Sequence, residues 1–155
     1  MKINFDGAVF SGENKSGIGV VNRDSSGSVL ASCSKKIPHA LMGSKAEALA
    51  AVTALSFATE LGVDKAVLEG DSMEVIKALT QTERTLSSIG PWIDDSKVLA
   101  SDFVQLQYSH VRRECNRLAH SLARYAVDIP DFLVWMEDVP PQFVVVLQAD
   151  LANLI

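Results

Sequence analysis

Three acidic residues, Asp6, Glu47 and Asp71, stand on elements that could carry them to one place. Asp6 lies in the middle of a strand pattern and precedes Gly7. Glu47 falls in the first turn of a long helical pattern, and Asp71 ends a strand pattern just before a helix. Carboxylates gathered above one edge of a sheet form a set of hard oxygen ligands suited to Mg²⁺ or Mn²⁺. Two such ions about 3.5–4 Å apart can activate a water and stabilise the leaving oxygen of a phosphodiester. Each residue also has a structural reading. Ser44-Lys45-Ala46-Glu47 fits a capping box, Asp71-Ser72-Met73-Glu74 fits the same pattern with Asp71 as N-cap, and Asp6 before Gly7 fits a turn. Spacing alone leaves both readings open.

Positive charge gathers near the last strand and helix, at Arg112, Arg113, Arg117 and Arg124. A solvated surface is the ordinary reading of such a run, but beside an acidic site it also suits phosphate contact. Arg117, His120 and Arg124 fall on one face of the last helix, so His120 reads equally as a solvated polar residue or as part of a site. His110 closes a strand, where a polar residue needs no function, and Asn116 is a good helix N-cap.

The elements that must position these residues follow from the hydrophobic period. Residues 2–10 alternate, with Ile3 and Phe5 on one face and Asn4 and Asp6 on the other. Residues 17–23 and 28–35 read as two more strands, joined at Asp24-Ser25-Ser26-Gly27, a strong turn signal. From Ser44 to Leu61 the apolar residues take helical spacing, and Gly62 suits the cap. A strand over 65–70, a short helix over 72–80, a loop at 86–90, a helix from Pro91 to about Ala100, a strand over 104–110 and a helix over 116–127 complete the pattern. Three sequential strands followed by alternating helices and strands predict an α/β domain over residues 1–128. Its mixed sheet has five strands, the first three antiparallel, with helices on both faces. Residues 129–155 read as a proline-punctuated apolar tail that packs on the domain or on a protein partner.

Composition bounds the rest. The 155 residues are 48% hydrophobic, which suits one folded domain rather than a disordered chain. A net charge of −5 argues against a basic nucleic-acid coat. It does not argue against a site whose carboxylates use cations to meet phosphate. Cys33 and Cys115 have no metal-binding spacing and read as reduced thiols. No apolar run is long enough for a membrane span, and the N-terminus lacks a signal peptide's apolar stretch. The expectation is an intracellular protein, nuclear or cytoplasmic. The first strand begins almost at Met1, so an upstream domain is expected to be absent or lost.

The phrases around the three acids are more specific than their spacing. Asn4-Phe5-Asp6-Gly7-Ala8, Ala46-Glu47-Ala48-Leu49-Ala50 and Glu69-Gly70-Asp71-Ser72 resemble, in order, the three acidic motifs of type 1 ribonuclease H. The flavour is that of the plant ribonuclease H-like domain found alone or behind reverse transcriptases of non-LTR retroelements. Gly17-Ile18-Gly19-Val20-Val21 with Arg23-Asp24 and the tail phrase Trp135 to Pro141 are similar to the same group, and the resemblance covers essentially residues 2–127.

The resemblance implies a ribonuclease H-like fold and a metal-dependent endonuclease that cuts the RNA strand of an RNA·DNA hybrid with two Mg²⁺ or Mn²⁺ ions. It makes Asp6, Glu47 and Asp71 the metal ligands. It places His110 near the attacking water or product phosphate, and Gly7 and Asn116 against the substrate, with Arg113 and Arg117 close by. The family's fourth acidic position falls on His120, which brings nitrogen in place of negative charge and so favours Mn²⁺ over Mg²⁺. Lys77 and Arg84 alone stand where relatives carry a basic, tryptophan-containing handle, so weak, salt-dependent hybrid binding is expected. A catalytically weak binding or interaction module on the same fold is the alternative. Exonuclease and resolvase relatives use different phrases around their acids and rank lower.

Overall fold

A computed structural model describes residues 1–153; the last two positions of the tail lie outside the described residues. Strands β1 (Lys2–Phe10), β2 (Lys15–Arg23) and β3 (Val29–Ile37) form an antiparallel meander. Helix α1 (Lys45–Glu60), strand β4 (Lys65–Gly70), helices α2 (Met73–Thr80) and α3 (Gly90–Ala100), strand β5 (Gln105–His110) and helix α4 (Arg117–Tyr125) follow. The tail adds strand β6 (Phe132–Met136) and helix α5 (Val144–Asn153). The sheet order is β5-β4-β1-β2-β3-β6. β4 joins β1 in parallel and β5 joins β4 in parallel, so the sheet is mixed.

The sheet therefore has six strands where the sequence pattern predicts five. The sixth comes from the tail: residues 132–136 pair antiparallel with Ala31–Lys35 of β3. Phe132-Leu-Val-Trp-Met is uniformly apolar, and such a short run carries no alternation to distinguish strand from buried helix.

Helices cover both faces, as expected. On one face α1 packs against Ile3, Phe5, Ile18 and Val20, with α3 behind it through Ile93. Its buried stripe is nearly all alanine (Ala48, Ala50, Ala51, Ala54 and Ala58), which lets a helix backbone lie close to a sheet. On the opposite face α4 lies on β2. There a Cβ at Gly19 would sit 2.2 Å from the Ala119 carbonyl oxygen, and one at Gly17 would sit 2.0 Å from that of Ala123. Only glycine permits this approach, and it sets the height at which α4 carries His120 over the sheet.

The tail closes the α4 side. Trp135, Phe143, Val146 and Leu147 pack on Val21, Leu118 and Leu122. Tyr125 stands edge-on to Phe143 with ring centroids 5.6 Å apart and tilts over Trp135 at 6.2 Å. Ser32 donates to the Asp138 carbonyl oxygen at 2.7 Å, and Ser34 donates to that of Leu122 at 2.8 Å.

Candidate active site

Alternation along β1 sends Phe5 into the α1 core and Asp6 to the face that α4 covers, where Asp6 is 2% exposed. Gly7 turns back toward α1: a Cβ there would lie 2.6 Å from both the carbonyl carbon and the oxygen of Ala46, and 2.9 Å from the Glu47 nitrogen. The missing side chain thus brings the first turn of α1, and with it Glu47, against the strand that carries Asp6. β4 runs parallel to β1 with Asn4 opposite Glu69, so the chain leaves β4 at Gly70 beside the same end of the sheet and places Asp71 there.

The three carboxylates meet. One oxygen each from Asp6, Glu47 and Asp71 lies within 4.8 Å of the others, and among the described residues this is the one such cluster of metal-ligating side chains. The capping alternatives do not hold. Ser44 makes no side-chain cap bond, and it is Ser72 rather than Asp71 that caps α2, accepting from the Val75 N–H at 3.4 Å.

Buried carboxylates this close repel one another and lose hydration. Burial pushes the Glu47 carboxyl up to about 10, with its contact to Asp6 and the charges of Asp6 and Asp71 pushing the same way. Burial and the Asp6 charge raise Asp71 as well, against the opposing pull of Arg113. Glu47 Oε2 and Asp71 Oδ2 are buried with no hydrogen-bond partner. A divalent cation would satisfy both oxygens and cancel the repulsion, so the donor set fits Mg²⁺ or Mn²⁺.

The other sequence-predicted residues surround this cluster unevenly. His120 is brought in: its Nδ1 lies 2.7 Å from Asp6 Oδ2, and its side chain keeps 30% exposure. The Arg113 Nε stands 4.0 Å from Asp71 Oδ2. His110 sits at the rim, exposed, with Nε2 3.3 Å from the Asp71 carbonyl oxygen. Arg117 opens α4 and is exposed. Asn116 occupies the N-cap position of α4 without a side-chain cap bond, and only 1% of it is exposed. Its amide instead donates to the Phe5 carbonyl oxygen at 2.9 Å and accepts from Asn4 at 3.1 Å. Of the weak handle residues, Lys77 lies in α2, while Arg84 lies between α2 and α3 and pairs with Asp94 at 3.6 Å.

Two residues beside the site escape a reading of spacing. Asn4 also donates to Glu69 Oε2 at 3.2 Å, and Glu69 meets Lys2 at 3.4 Å. This buried chain ties β4, β1 and the start of α4 together directly beneath the acids. The available signal is strand period: Asn4 is two residues before Asp6 and shares its face of β1, and Glu69 stands two residues before Asp71, near the end of β4.

Comparison with known proteins agrees with this architecture. The family described as "Reverse transcriptase-like" matches residues 4–126. RNase H1 from the halophilic archaeon Halobacterium salinarum is 29% identical and superposes with a TM-score of 0.76, covering 82% of this chain and 96% of that one. The N-terminal RNase H domain of a Mycobacterium tuberculosis protein is 26% identical, with a TM-score of 0.74 and coverage of 82% and 92%. At 24% identity, LC11-RNase H1 from compost, solved with an RNA/DNA hybrid, shares the fold with a TM-score of 0.73 and coverage of 82% and 96%. No curated protein matches the chain. With its mixed sheet, its acids on β1, at the start of α1 and after β4, and its solved neighbours, the chain belongs to the reverse transcriptase-like family and is an RNase H-like domain.

Proposed function

We propose that this protein is a metal-dependent endonuclease that hydrolyses the RNA strand of RNA·DNA hybrids. The observation that carries the reading is the convergence of Asp6, Glu47 and Asp71 within 4.8 Å, with a buried oxygen on Glu47 and on Asp71 that accepts no hydrogen bond. A structural role does not call for three mutually repelling carboxylates, whereas divalent metal does. The neighbour solved with an RNA/DNA hybrid, LC11-RNase H1, supports the choice of substrate.

In this reading Asp6, Glu47 and Asp71 would hold a pair of Mg²⁺ or Mn²⁺ ions through their carboxylate oxygens. When bound, the metal supplies an acidified water and charge to meet the developing oxyanion. The chain's own groups do the rest. His120 fixes one oxygen of Asp6, so the other is left to face the ligand. His110, exposed at the rim, takes a proton from the water or holds the product phosphate. Gly7, whose side-chain space is filled by the first turn of α1, offers the substrate only its backbone, and Arg113 and Arg117 meet the substrate's phosphates. Asn116 acts through position, holding the start of α4 to β1. Water's oxygen joins phosphorus, the P–O3′ bond breaks, and a proton ends on the 3′ oxygen. Descent from a plant retroelement is part of the same proposal and rests on the motif phrases.

The second reading keeps the fold as a nucleic-acid-binding or interaction module with little turnover. It is favoured by His120, whose Nδ1 engages an Asp6 oxygen where relatives offer a fourth carboxylate. Incubating labelled RNA·DNA hybrid, duplex RNA, duplex DNA and single strands with the wild type and Asp71→Asn, in Mg²⁺ and in Mn²⁺, separates the two. The enzyme reading requires cleavage of the hybrid's RNA strand that the variant loses. Equal inertness of two folded proteins favours the module.

A further inference from the structure

Beside the acidic cluster lies a cleft of about 330 Å³ whose walls are Arg113, Glu114, Arg117, His120, Ser121 and Val146. Five of these come from the turn before α4 and from α4 itself; Val146 comes from α5. Two residues join the cleft to the acids: His120, whose Nδ1 reaches Asp6 Oδ2, and Arg113, whose Nε stands 4.0 Å from Asp71 Oδ2. Among the described residues no carboxylate pairs with Arg117. Val146 is in place because the tail folds back, with Phe143, Val146 and Leu147 packed on Leu118 and Leu122. That segment lies beyond the family's matched stretch, which ends at residue 126.

We propose that α5 makes this cleft a phosphate subsite for the nucleic-acid backbone running on from the acidic cluster. Arg113 and Arg117 face the anion, and Val146 forms an apolar wall for the adjoining sugar. The inference rests on the nuclease reading and assigns its substrate a second anchor. Arg113 is shared with Asp71 and Glu114 lines the same cleft, but Arg117 has no carboxylate partner among the described residues, and each guanidinium offers a planar fork that matches phosphate oxygens. Ser121 adds a hydroxyl, although in the free protein that hydroxyl donates to the Arg117 carbonyl oxygen at 2.9 Å. The apolar wall displaces water from one side of the anion and so strengthens its attraction to the arginines. The cleft also answers the thin basic handle at α2 and α3, where Arg84 is already engaged with Asp94.

The test is fluorescence-anisotropy binding of an RNA·DNA hybrid to the full chain in EDTA over a salt series, with cleavage kinetics in Mn²⁺ alongside. Val146→Glu and Val146→Lys lose the same apolar contact but place opposite charges in the cleft, so a shared packing or folding defect cancels between them. The expected result is roughly fivefold weaker binding for Val146→Glu, with no such loss for Val146→Lys. In cleavage, Val146→Glu acts on KM rather than on kcat, and Arg117→Ala makes the logarithmic salt slope shallower by about 1. Equal weakening by both Val146 variants, or no effect from either, overturns the subsite even if the hybrid is cut; so does a wild type that does not bind hybrid. A chain that shows the charge dependence in EDTA yet cuts nothing keeps the subsite and refutes the nuclease reading.

Discussion

His120 Nδ1 and Asp6 Oδ2 lie 2.7 Å apart, joining the fourth helix to the central acid of the cluster across the α4 face of the sheet. The approach depends on Gly17 and Gly19, which let α4 rest on β2. It gives the site an imidazole nitrogen where a fourth carboxylate would add negative charge. We therefore expect the wild type to respond more strongly to Mn²⁺ than to Mg²⁺, and His120→Asp to shift the preference toward Mg²⁺. Thermal shift against each metal measures this. A wild type stabilised more by Mg²⁺ would contradict it.

Glu47 makes stability depend on pH in a direction opposite to that of an ordinary salt-bridged acid. Burial and its two acidic neighbours raise it from 4.5 to about 10, so the folded, metal-free protein keeps a proton that the unfolded chain releases. That contribution is fully present below the unfolded value and is lost as pH climbs toward the folded one. Asp71 is raised in the same sense. In EDTA, Tm should decline between about pH 5 and pH 9, and Glu47→Gln should flatten the decline. The same variant should lose the Tm gain that Mn²⁺ confers on the wild type. Melting curves across pH, with and without metal, read both effects.

Gly7 fails as alanine for reasons of backbone rather than side chain. The added carbon would stand 2.6 Å from the Ala46 carbonyl group, and neither α1 nor β1 can swing aside as a flexible side chain could. Gly7→Ala should cost about 1–3 kcal/mol in denaturant melts, and by moving Glu47 it should weaken metal binding as well. Full stability in this variant would mean that α1 can slide along the sheet.

Asn116 should prove structural before it proves a contact for nucleic acid. It is 1% exposed, and both ends of its amide are used, by the Phe5 carbonyl oxygen and by Asn4. Asn116→Ala leaves those buried groups unsatisfied and should destabilise the fold by about 1–3 kcal/mol. Chemical denaturation measures this, and a stable variant with a raised KM would instead argue for direct substrate contact.

Much of this was legible from residues. Alternation through Ile3, Asn4, Phe5 and Asp6 marks β1 and its polar face, and the alanine-rich period after Ser44 marks α1. The acidic phrases point to the cluster that the fold assembles. What stayed hidden depends on pairing between distant segments. Nothing local says that residues 132–136 lie along β3, or that Val144-Val145-Val146, a β-branched run of low helix propensity, begins a helix on α4. The cap of α2 stays open in the sequence because Asp71 and Ser72 are both good caps, and tertiary convergence draws Asp71 elsewhere. The Asn4–Glu69 bond needs the β1–β4 register, which a single sequence does not state.

The most direct measurement is a time course of RNA-strand cleavage in an end-labelled RNA·DNA hybrid, comparing the wild type with Asp6→Asn in Mn²⁺ and Mg²⁺ after circular dichroism shows both folded. The account predicts metal-dependent cutting by the wild type, products ending in a 3′ hydroxyl, and loss of the reaction in the variant. A wild type that leaves the RNA strand intact in either metal, or a variant that cuts as fast as the wild type, would contradict it.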